Sequence, residues 1–473
     1  MKALASTRLS RRKLNGYLTV FLSLSLSIIL SLFFVLIRVS YVNYSKMKLE
    51  IVTDIGLNAV LGEYHRELLY QYDLLFIDLS YGTSIGEVHN LRNHLIGYID
   101  KNLEPEKNSV SDWNELTLHD VRITETLMAH HYDGKILKRQ ACAYISDNIR
   151  AEAINDLTSL LTGVKSLDAA DEMASWQNVM GSISKILASL TKEARQKALA
   201  ENPEADIEKI NITINNPADK LFENKDRHIE VLFPSDVKGT RINLNNYYSH
   251  RSKNENNSQI GGNEAGFLDS LSTMVLFNTY IFEKLGYHNS LKDNSLLDYQ
   301  VEYLIVGADS DEKNLKGIRN RIFAWRFADN ARLYFTDSQK RNEANMIAAT
   351  VSTLLMNPQL TQLIAYSLLF SWAFSDSLDD VQKLLNDEKV PLIKKSIGSD
   401  VGGLSYKQYL ELMLLIAREN TITARVMDII EMDIRLTPYN QNFRIDMCLE
   451  SFRISATYID RFEVYTIDRR YGY

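Results

Sequence analysis

The sequence predicts an α+β protein with one N-terminal transmembrane helix, and three observations indicate this fold class. Residues 17–37 form an apolar run without a charged residue. Apolar residues then recur at helical spacing over much of the chain. The C-terminal tail instead alternates apolar and polar residues with the period of two that is typical of β-strands. We therefore expect a membrane helix that continues into a long external helix, a mainly helical ectodomain with short antiparallel strands, and a C-terminal β meander.

Composition excludes several classes of protein. The chain has 473 residues, a net charge of −7 and only 7 prolines, so it is neither collagen-like nor disordered. Its two cysteines exclude a disulfide-dense scaffold. The mild acidity argues against a nucleic-acid partner, which requires a basic surface. Because the sequence has no Walker A, GxGxxG, CxxC or HExxH motif, we expect no cofactor and no metal site.

The N-terminus sets the expected topology. Residues 1–16 carry no acid and five basic residues: Lys2, Arg8, Arg11, Arg12 and Lys13. The following run over 17–37 is long enough to cross a hydrocarbon core of ~30 Å. Since basic flanks stay in the cytoplasm, we expect a cytoplasmic tip, a single span in the cell membrane and an extracytoplasmic bulk. A cleaved secretory signal is the alternative, although its apolar region is normally shorter and ends in a small-x-small site, whereas residues 38–41 read RVSY.

The membrane helix is predicted to continue outside the bilayer. No proline occurs from Arg38 to Tyr72, and an apolar stripe follows close to helical spacing at Met47, Ile51, Ile55, Val60, Tyr64, Leu68 and Tyr72. We expect one helix over Tyr17–Tyr72, about 84 Å long. Such a helix is typical of pilins and pseudopilins, and an ordinary anchor followed by a separate stalk helix is the alternative.

The rest of the chain divides at polar segments. We predict a stalk helix and cap over 38–110, a middle α+β region over 111–253 and a C-terminal α+β domain over 265–473. The polar segment 104–112 and the Asn/Gly/Ser-rich linker 254–266 separate them.

Local patterns predict the elements within these regions. Helices are expected over 85–103, 136–201 and 267–286, strands over 116–127 and 299–307, and two strands within 207–234. Asp309 and Glu312 have the spacing of a capping box. The helix that follows them carries an apolar stripe at Leu315, Ile318, Ile322 and Trp325. The tail is expected to form three strands, over Phe443–Leu449, Phe452–Tyr458 and 462–469.

The segment 344–375 has no formal charge and is a candidate second span. Asn345, Asn357, Gln359 and Gln362 interrupt it, and polar residues in a bilayer cost free energy. Pro358 fits the first turn of a new helix. We therefore favour a buried helical hairpin.

Few residues have the spacing that chemistry requires. Gly82–Gly86 matches G-x-S-x-G, with Ser84 as a candidate nucleophile, and His228, His250 and His288 are candidate bases without a recognisable motif. An ordinary turn explains the same five residues. This pattern leaves a membrane-anchored extracytoplasmic hydrolase of envelope polymers as the alternative function.

Candidate metal ligands have the wrong spacing. His130 and His131 are adjacent, and Glu63, His65 and Glu67 do not share a helix face. Asp309, Asp311 and Glu312 are explained by helix capping. The pairs Ser189/Lys192 and Ser235/Lys238 match a S-x-x-K motif by chance.

The cysteines allow two arrangements. A disulfide between Cys142 and Cys448 would join the middle region to the terminal sheet, and Cys448 lies on the polar side of its predicted strand. Two unpaired thiols are the alternative.

The N-terminal residues 13–24 (KLNGYLTVFLSL) resemble the start of TadE-like pseudopilins of tight-adherence, Flp-type pilus systems. Residues 45–50, 54–73 and 76–82, with the C-terminal YGY, resemble an uncharacterised family of large single-pass membrane proteins from clostridia-like Firmicutes. The likeness continues through Asn357–Pro358, Val390–Leu392 and Phe443–Asp446. It implies an accessory role beside pilus or secretion machinery.

One position departs from the pilin pattern. Prepilin peptidases cut after a glycine, here Gly16, and usually require glutamate five residues later, where this chain has Phe21. A permanently anchored protein is therefore at least as compatible with the sequence as a filament subunit. We expect a non-enzymatic, pseudopilin-like component with protein partners and without catalytic, cofactor-binding or metal-binding residues.

Overall fold

A computed structural model describes residues 17–103, 116–148, 240–251, 271–354, 358–398, 402–460 and 463–473. Its first helices and strands are α1 (Tyr17–Leu61), α2 (Arg66–Tyr72), β1 (Ile77–Asp78), α3 (Val88–Leu103), β2 (Thr117–Met128) and α4 (His131–Asn148). Next come α5 (Leu271–Lys284), α6 (Gln300–Val306), α7 (Asp311–Thr336), α8 (Ser338–Leu354), α9 (Thr361–Leu385), α10 (Tyr406–Ile416) and α11 (Glu419–Arg435). The strands β3 (Cys448–Ile459) and β4 (Val464–Gly472) end the chain. This mixed, mainly helical fold with a small antiparallel sheet agrees with the predicted class.

Several predictions fall outside the described residues. These are the basic tip 1–16, the break at 104–112, the helical pattern beyond 148, the strands within 207–234, the linker 254–266 and the two S-x-x-K pairs. The predicted domain limits at 110, 253 and 265 also lie there, and they stay predictions.

The chain forms two compact units, each built from separate stretches. Unit 1 comprises residues 1–63, 88–125 and 451–472, and unit 2 comprises residues 64–87, 126–450 and 473.

In unit 1 the second half of α1 is a packed helix. Its buried residues follow one face: Ser45, Leu49, Val52, Thr53, Gly56, Leu57 and Val60. This face packs on α3, whose buried residues are Leu91, Leu95, Ile99 and Leu103. At Gly56 the two helices approach so closely that an added Cβ would lie 2.9 Å from Ile99 Cγ1. Helix α1 also packs on β4, and the Thr53 and Tyr458 hydroxyls share a 2.6 Å hydrogen bond.

The hairpin of β3 and β4 confirms the later part of the predicted meander. Its antiparallel register runs from Ser451 opposite Gly472 to Ile459 opposite Val464. The predicted apolar face is buried: Phe452, Ile454, Ala456 and Tyr458. In unit 2, Ile77 of β1 pairs with Leu449, and Asp78 with Cys448, at the start of β3.

The uncharged segment 344–375 lies in a helical hairpin of unit 2, formed by α8 and α9. Alanines of both helices are buried beside Phe327 of α7: Ala344, Ala348, Ala365 and Ala373. Pro358 begins a 3-10 turn that leads into α9, as predicted. Among the described helices only α1 is long and apolar enough to span a membrane.

The predicted single helix over Tyr17–Tyr72 is wrong beyond Leu61. His65 has an extended backbone, and its Nδ1 accepts the Leu68 N–H, so it caps a new helix, α2. The predicted apolar stripe is buried at Val60, Leu68 and Tyr72 but not in its first part. Met47, Ile51 and Ile55 are exposed, because the sequence carries apolar residues on two faces of α1 and the smaller side chains face α3.

The predicted strand over 299–307 is helix α6. Its residues from Gln300 to Ile305 are all buried, so burial gives no period that separates strand from helix. Two polar side chains find partners inside: Gln300 accepts the Gly286 N–H, and Glu302 accepts the His288 N–H. Gly307, with φ +76°, ends the helix in the left-handed conformation.

Three further local predictions are wrong. The N-cap of α7 is Ser310, not Asp309, because its hydroxyl accepts the Lys313 N–H. Residues 443–447 contain a 3-10 turn over Ile445–Met447 and not a strand. Cys448, predicted to lie on the polar side of its strand, is completely buried. The apolar stripe of α7 is buried at Leu315, Ile318 and Ile322, and Trp325 packs against the same core.

Candidate membrane anchor and helix-packing surface

The apolar side chains in the first half of α1 are exposed. Every large apolar side chain from Tyr17 to Val39 is at least 47% exposed, and none of the most hydrophobic 18-residue window is buried. Leaving such side chains in water costs about 1.5–3 kcal/mol each relative to burial. The segment therefore requires an apolar environment that the described chain does not supply.

The serines of this segment are compatible with a bilayer. Ser23, Ser25 and Ser31 donate to the carbonyl oxygens three residues earlier, at 2.9, 3.0 and 2.7 Å. A hydroxyl bonded within its own helix loses little on entering hydrocarbon.

A polar collar marks the end of the apolar segment. Arg38, the first charged residue after it, pairs with Glu463 at 3.3 Å, and the Tyr41 hydroxyl donates to Asp460 at 2.7 Å. Both acids lie in the connection between β3 and β4. Sequence analysis missed this collar, since nothing local links residues about 420 positions apart. It fixes where the folded part of unit 1 begins.

Past the collar, α1 presents a second apolar face. Tyr44, Met47, Ile51 and Ile55 are 49%, 56%, 50% and 44% exposed. Their spacing of three and four residues places them on one side of the helix. The uncovered apolar surface of α1 therefore extends from the membrane-length segment along the packed half of the helix.

The tail beside this helix is an ordinary terminal strand. Arg469 of β4 lies 3.6 Å from Glu50 and 3.4 Å from Asp54, and the Tyr471 hydroxyl accepts from Asn58 at 3.3 Å. These contacts hold β4 along α1.

Ser84 lies on an exposed bend, and its surroundings differ from those of a nucleophile elbow. A nucleophile elbow places serine directly between a strand and a helix, whereas β1 ends at Asp78 and α3 begins at Val88. Among the described residues no histidine hydrogen-bonds to Ser84. Of the candidate bases, His288 packs against the ring of Tyr406, and His228 lies outside the described residues.

The third candidate base, His250, lies beside a serine and an aspartate that no sequence motif linked to it. The Ser249 hydroxyl lies 2.6 Å from Nδ1 of His250 and donates to Asp428, which also accepts the Ser249 N–H and the Tyr303 hydroxyl. Burial raises the pKa of Asp428. In a hydrolytic triad the histidine stands between the other two, but here the serine does. The arrangement anchors the segment 240–251 on α11.

No cluster of three or more potential metal ligands occurs among the described residues. The candidates have other partners. Glu63 lies 3.0 Å from Nδ1 of His94 and accepts the Tyr98 hydroxyl, and His65 caps α2. Asp309 pairs with Arg241 and Lys313.

Two more candidate ligand groups are accounted for within unit 2. Asp311 accepts the backbone N–H groups of Asp298 and Tyr299. Nδ1 of His131 accepts the Met128 N–H, and burial lowers the pKa of His131 to about 4.

The cysteines are unpaired. Cys142 and Cys448 are both buried free thiols, which is the alternative to the disulfide. Burial raises the pKa of Cys142 to about 11 and that of Cys448 well above its usual value. Both thiols are therefore protonated at neutral pH, and only the thiolate is a good nucleophile.

Helix α1 is long, its first half is apolar and exposed, and its second half packs into a folded α+β unit. These features define the class of the protein: a folded chain with a membrane-length segment near its N-terminus. By length and composition such a segment fits a membrane anchor or a signal sequence. The profile of the Family of unknown function (DUF5702) matches residues 208–460, more than half of the chain, and the chain belongs to this family. No curated protein and no solved structure matches it.

Proposed function

We propose that the chain is a non-enzymatic, membrane-anchored, pseudopilin-like accessory component of a tight-adherence, Flp-type pilus or secretion apparatus. The observation that supports this most is the continuity of α1. One helix combines a fully exposed apolar half with a half whose opposite face packs on α3 and β4. Pilin-like proteins are built in this way.

The same continuity favours an anchor over a cleaved signal. Cleavage just after residue 37 would cut α1 within a helical turn of Arg38 and Tyr41, which bond to the β3–β4 connection. The basic tip 1–16 supports a cytoplasmic N-terminus and an extracytoplasmic bulk. The resemblance of residues 13–24 to TadE-like proteins supports the pilus assignment, and the wider likeness supports an origin in clostridia-like Firmicutes.

The proposed mechanism is helix packing through the exposed face of α1. Tyr44, Met47, Ile51 and Ile55 continue the apolar surface beyond the span, so a partner with an apolar helix in the same membrane would cover both. Phe21 stands where pilins have glutamate, which favours a fixed accessory protein over a processed filament subunit.

The first experiment determines the intact mass and the N-terminal sequence of the chain from membrane and sheared-surface fractions of its host. The proposal expects a full-length chain in the membrane fraction only. A chain that begins at Tyr17 in the sheared fraction would make it a filament subunit. A chain that lacks the apolar segment would overturn the anchor.

The second experiment places a photo-crosslinking amino acid at Ile51. We expect a crosslinked partner from the pilus or secretion assembly. The matched control is Leu291, which is 59% exposed and belongs to unit 2. Equal crosslinking at both positions, or unchanged assembly after deletion of the protein, would refute the proposed role.

The alternative is the anchored hydrolase with Ser84 as nucleophile. Its test is labelling with a serine-directed probe. Loss of the label in Ser84→Ala would favour the enzyme, and an unlabelled wild-type chain would remove the support for it.

A further inference from the structure

The amine of Lys292 is buried without a hydrogen bond. Its Nζ atom has no hydrogen-bond partner among the described residues and lies 3.6 Å from Oδ2 of Asp433. It also stands over the ring of Tyr72, 4.2 Å from the centroid. An ordinary Lys–Asp ion pair closes to hydrogen-bond distance, and this one does not.

The carboxylate of Asp433 is held by other donors. It lies on α11, is 1% exposed, and accepts from the Tyr72 hydroxyl at 2.6 Å, the Gln300 amide at 2.8 Å and the Leu296 N–H at 3.2 Å. These three donors fix the carboxyl group and would polarise its C=O bond. The amine is thus close to a fixed, polarised carboxyl group and is not tied to either oxygen.

The surroundings favour the neutral form of the Lys292 amine. Burial lowers the pKa of Lys292, against the attraction of Asp433, and nearby Lys284 acts in the same direction as burial. Lys284 has its own partner in Asp73 at 2.5 Å. Burial and Asp433 raise the pKa of Tyr72 well above its usual value, so its hydroxyl remains a donor. A buried Lys–Asp pair can move a proton from nitrogen to oxygen and leave an amine beside a carboxylic acid.

We propose that Lys292 and Asp433 join in an intramolecular isopeptide bond. Nζ passes one proton to Oδ2 of Asp433 and attacks Cγ, and the Leu296 N–H stabilises the charge that develops on Oδ1. Nζ then gives up a second proton to the departing hydroxyl, the C–O bond breaks and one water leaves. The Nζ–Cγ amide balances the step, and no oxidant, metal or added reagent takes part.

The bond would link the segment after α5 to α11, two parts of unit 2 that are far apart in sequence. Fixed proximity of the reacting groups supplies the rate that free lysine and aspartate lack. The crosslink restricts the unfolded chain, and long closed loops gain the most from this.

The test is the intact mass, under denaturing conditions, of the full chain purified from membranes in detergent. We expect a mass below the sequence mass by about 18 Da, one water, and a branched peptide that joins residues 292 and 433 after digestion. Lys292→Arg keeps a positive charge but cannot form this amide, so it should show the full sequence mass. Lys284→Arg is the matched control and should keep the deficit.

Two results would overturn the proposal. One is a wild-type chain with the full sequence mass after prolonged incubation at neutral pH. The other is a water loss that persists in Lys292→Arg or maps to another pair. Peptide mapping of the wild type requires no variant, so a Lys292→Arg chain that fails to fold does not affect the test.

Discussion

Nε of Arg326 lies 2.9 Å from Oδ2 of Asp380, and both side chains are almost completely buried. Arg326 also donates to Asp329 and to the carbonyl oxygens of Pro391 and Leu392. Lys394 donates to both oxygens of Asp380 at 2.7 and 2.9 Å. Two buried cations, Arg326 and Lys394, thus lie beside two buried carboxylates, Asp329 and Asp380. They tie α7, α9 and the segment 390–394 together in unit 2.

Removal of Arg326 should strongly destabilise unit 2. Burial alone would raise the pKa of Asp380, but its bond with Lys394 and the charge of Arg326 lower it, so the carboxylate is ionised. Arg326→Met leaves that carboxylate with one cation and Asp329 with fewer donors. We expect a loss of about 3–5 kcal/mol in the free energy of unfolding, measured by denaturant titration of the full chain in detergent.

The matched control for this prediction is Arg332→Met. Arg332 also pairs with Asp329, at 2.7 Å, but its side chain is 48% exposed. Its loss should cost at most about 1 kcal/mol. Equal effects of the two substitutions would contradict the importance of burial.

The contact between α1 and α3 depends on Gly56. A leucine there would place its Cβ 2.9 Å from Ile99 Cγ1 and 3.3 Å from Leu95 Cδ1, before the rest of the side chain is placed. Gly56→Leu should destabilise unit 1 by about 1–3 kcal/mol, visible as earlier protease cleavage within α1 or α3. In Gly97→Ala the new Cβ meets nothing within 4 Å, so this helical control should be neutral or more stable by up to about 1 kcal/mol. Faster proteolysis of the control would contradict this account.

The sequence predicted what depends on local pattern. The apolar first half of α1, α3, β2 and the hairpin faces at Phe452 and Tyr458 all follow from periodicity and apolar length. It failed where burial is complete, as in α6, because a segment buried on all sides has no period. It also failed for α1, where Met47 and Leu49 are similarly apolar and only tertiary packing decides which one is covered.

The candidate site was predictable only in part. The exposed apolar segment is evident from composition. The collar of Arg38 and Glu463 and the pair of Lys292 and Asp433 join residues that are far apart in sequence. Charged residues carry no local sign of the partner that the fold will give them.

Glu302 should make unit 2 less stable as the pH rises. It is fully buried on α6, and burial raises its pKa from 4.5 to about 7 despite bonds from His288 N–H and the Tyr406 hydroxyl. The folded state therefore binds a proton that the unfolded state has released between pH 4.5 and 7. The contribution of this proton to the free energy of unfolding is complete below pH 4.5. It is lost as the pH rises through 7, with a slope of roughly 1.4 kcal/mol per pH unit.

Glu302→Gln keeps the acceptor for both donors and cannot ionise. The difference in unfolding free energy between this variant and the wild type should grow in favour of the variant from pH 4.5 to 7 and then level off. Groups common to both chains cancel in this difference. A difference independent of pH would show that Glu302 is not the titrating group.

His131 should make unit 2 less stable as the pH falls, which is opposite to the effect of Glu302. Its Nδ1 accepts the Met128 N–H at 3.2 Å, and burial lowers its pKa from 6.5 to about 4. Between those values the unfolded state binds the additional proton, so the contribution is full above pH 6.5 and is lost as the pH falls through 4. His131→Asn retains an acceptor without a charge change. Its stability relative to wild type should therefore rise as the pH falls from 6.5 to 4.

Because the slopes of Glu302 and His131 have opposite signs, they oppose each other between pH 4.5 and 6.5. The wild type then has a flatter pH profile than either variant. In Glu302→Gln the free energy of unfolding should fall as the pH falls, because only His131 still titrates. In His131→Asn it should fall as the pH rises, because only Glu302 still titrates. The double variant should lose both contributions and show the sum of the two single differences, since the groups share no contact among those described. A double variant that departs from this sum by more than about 0.5 kcal/mol would mean that the two sites are coupled.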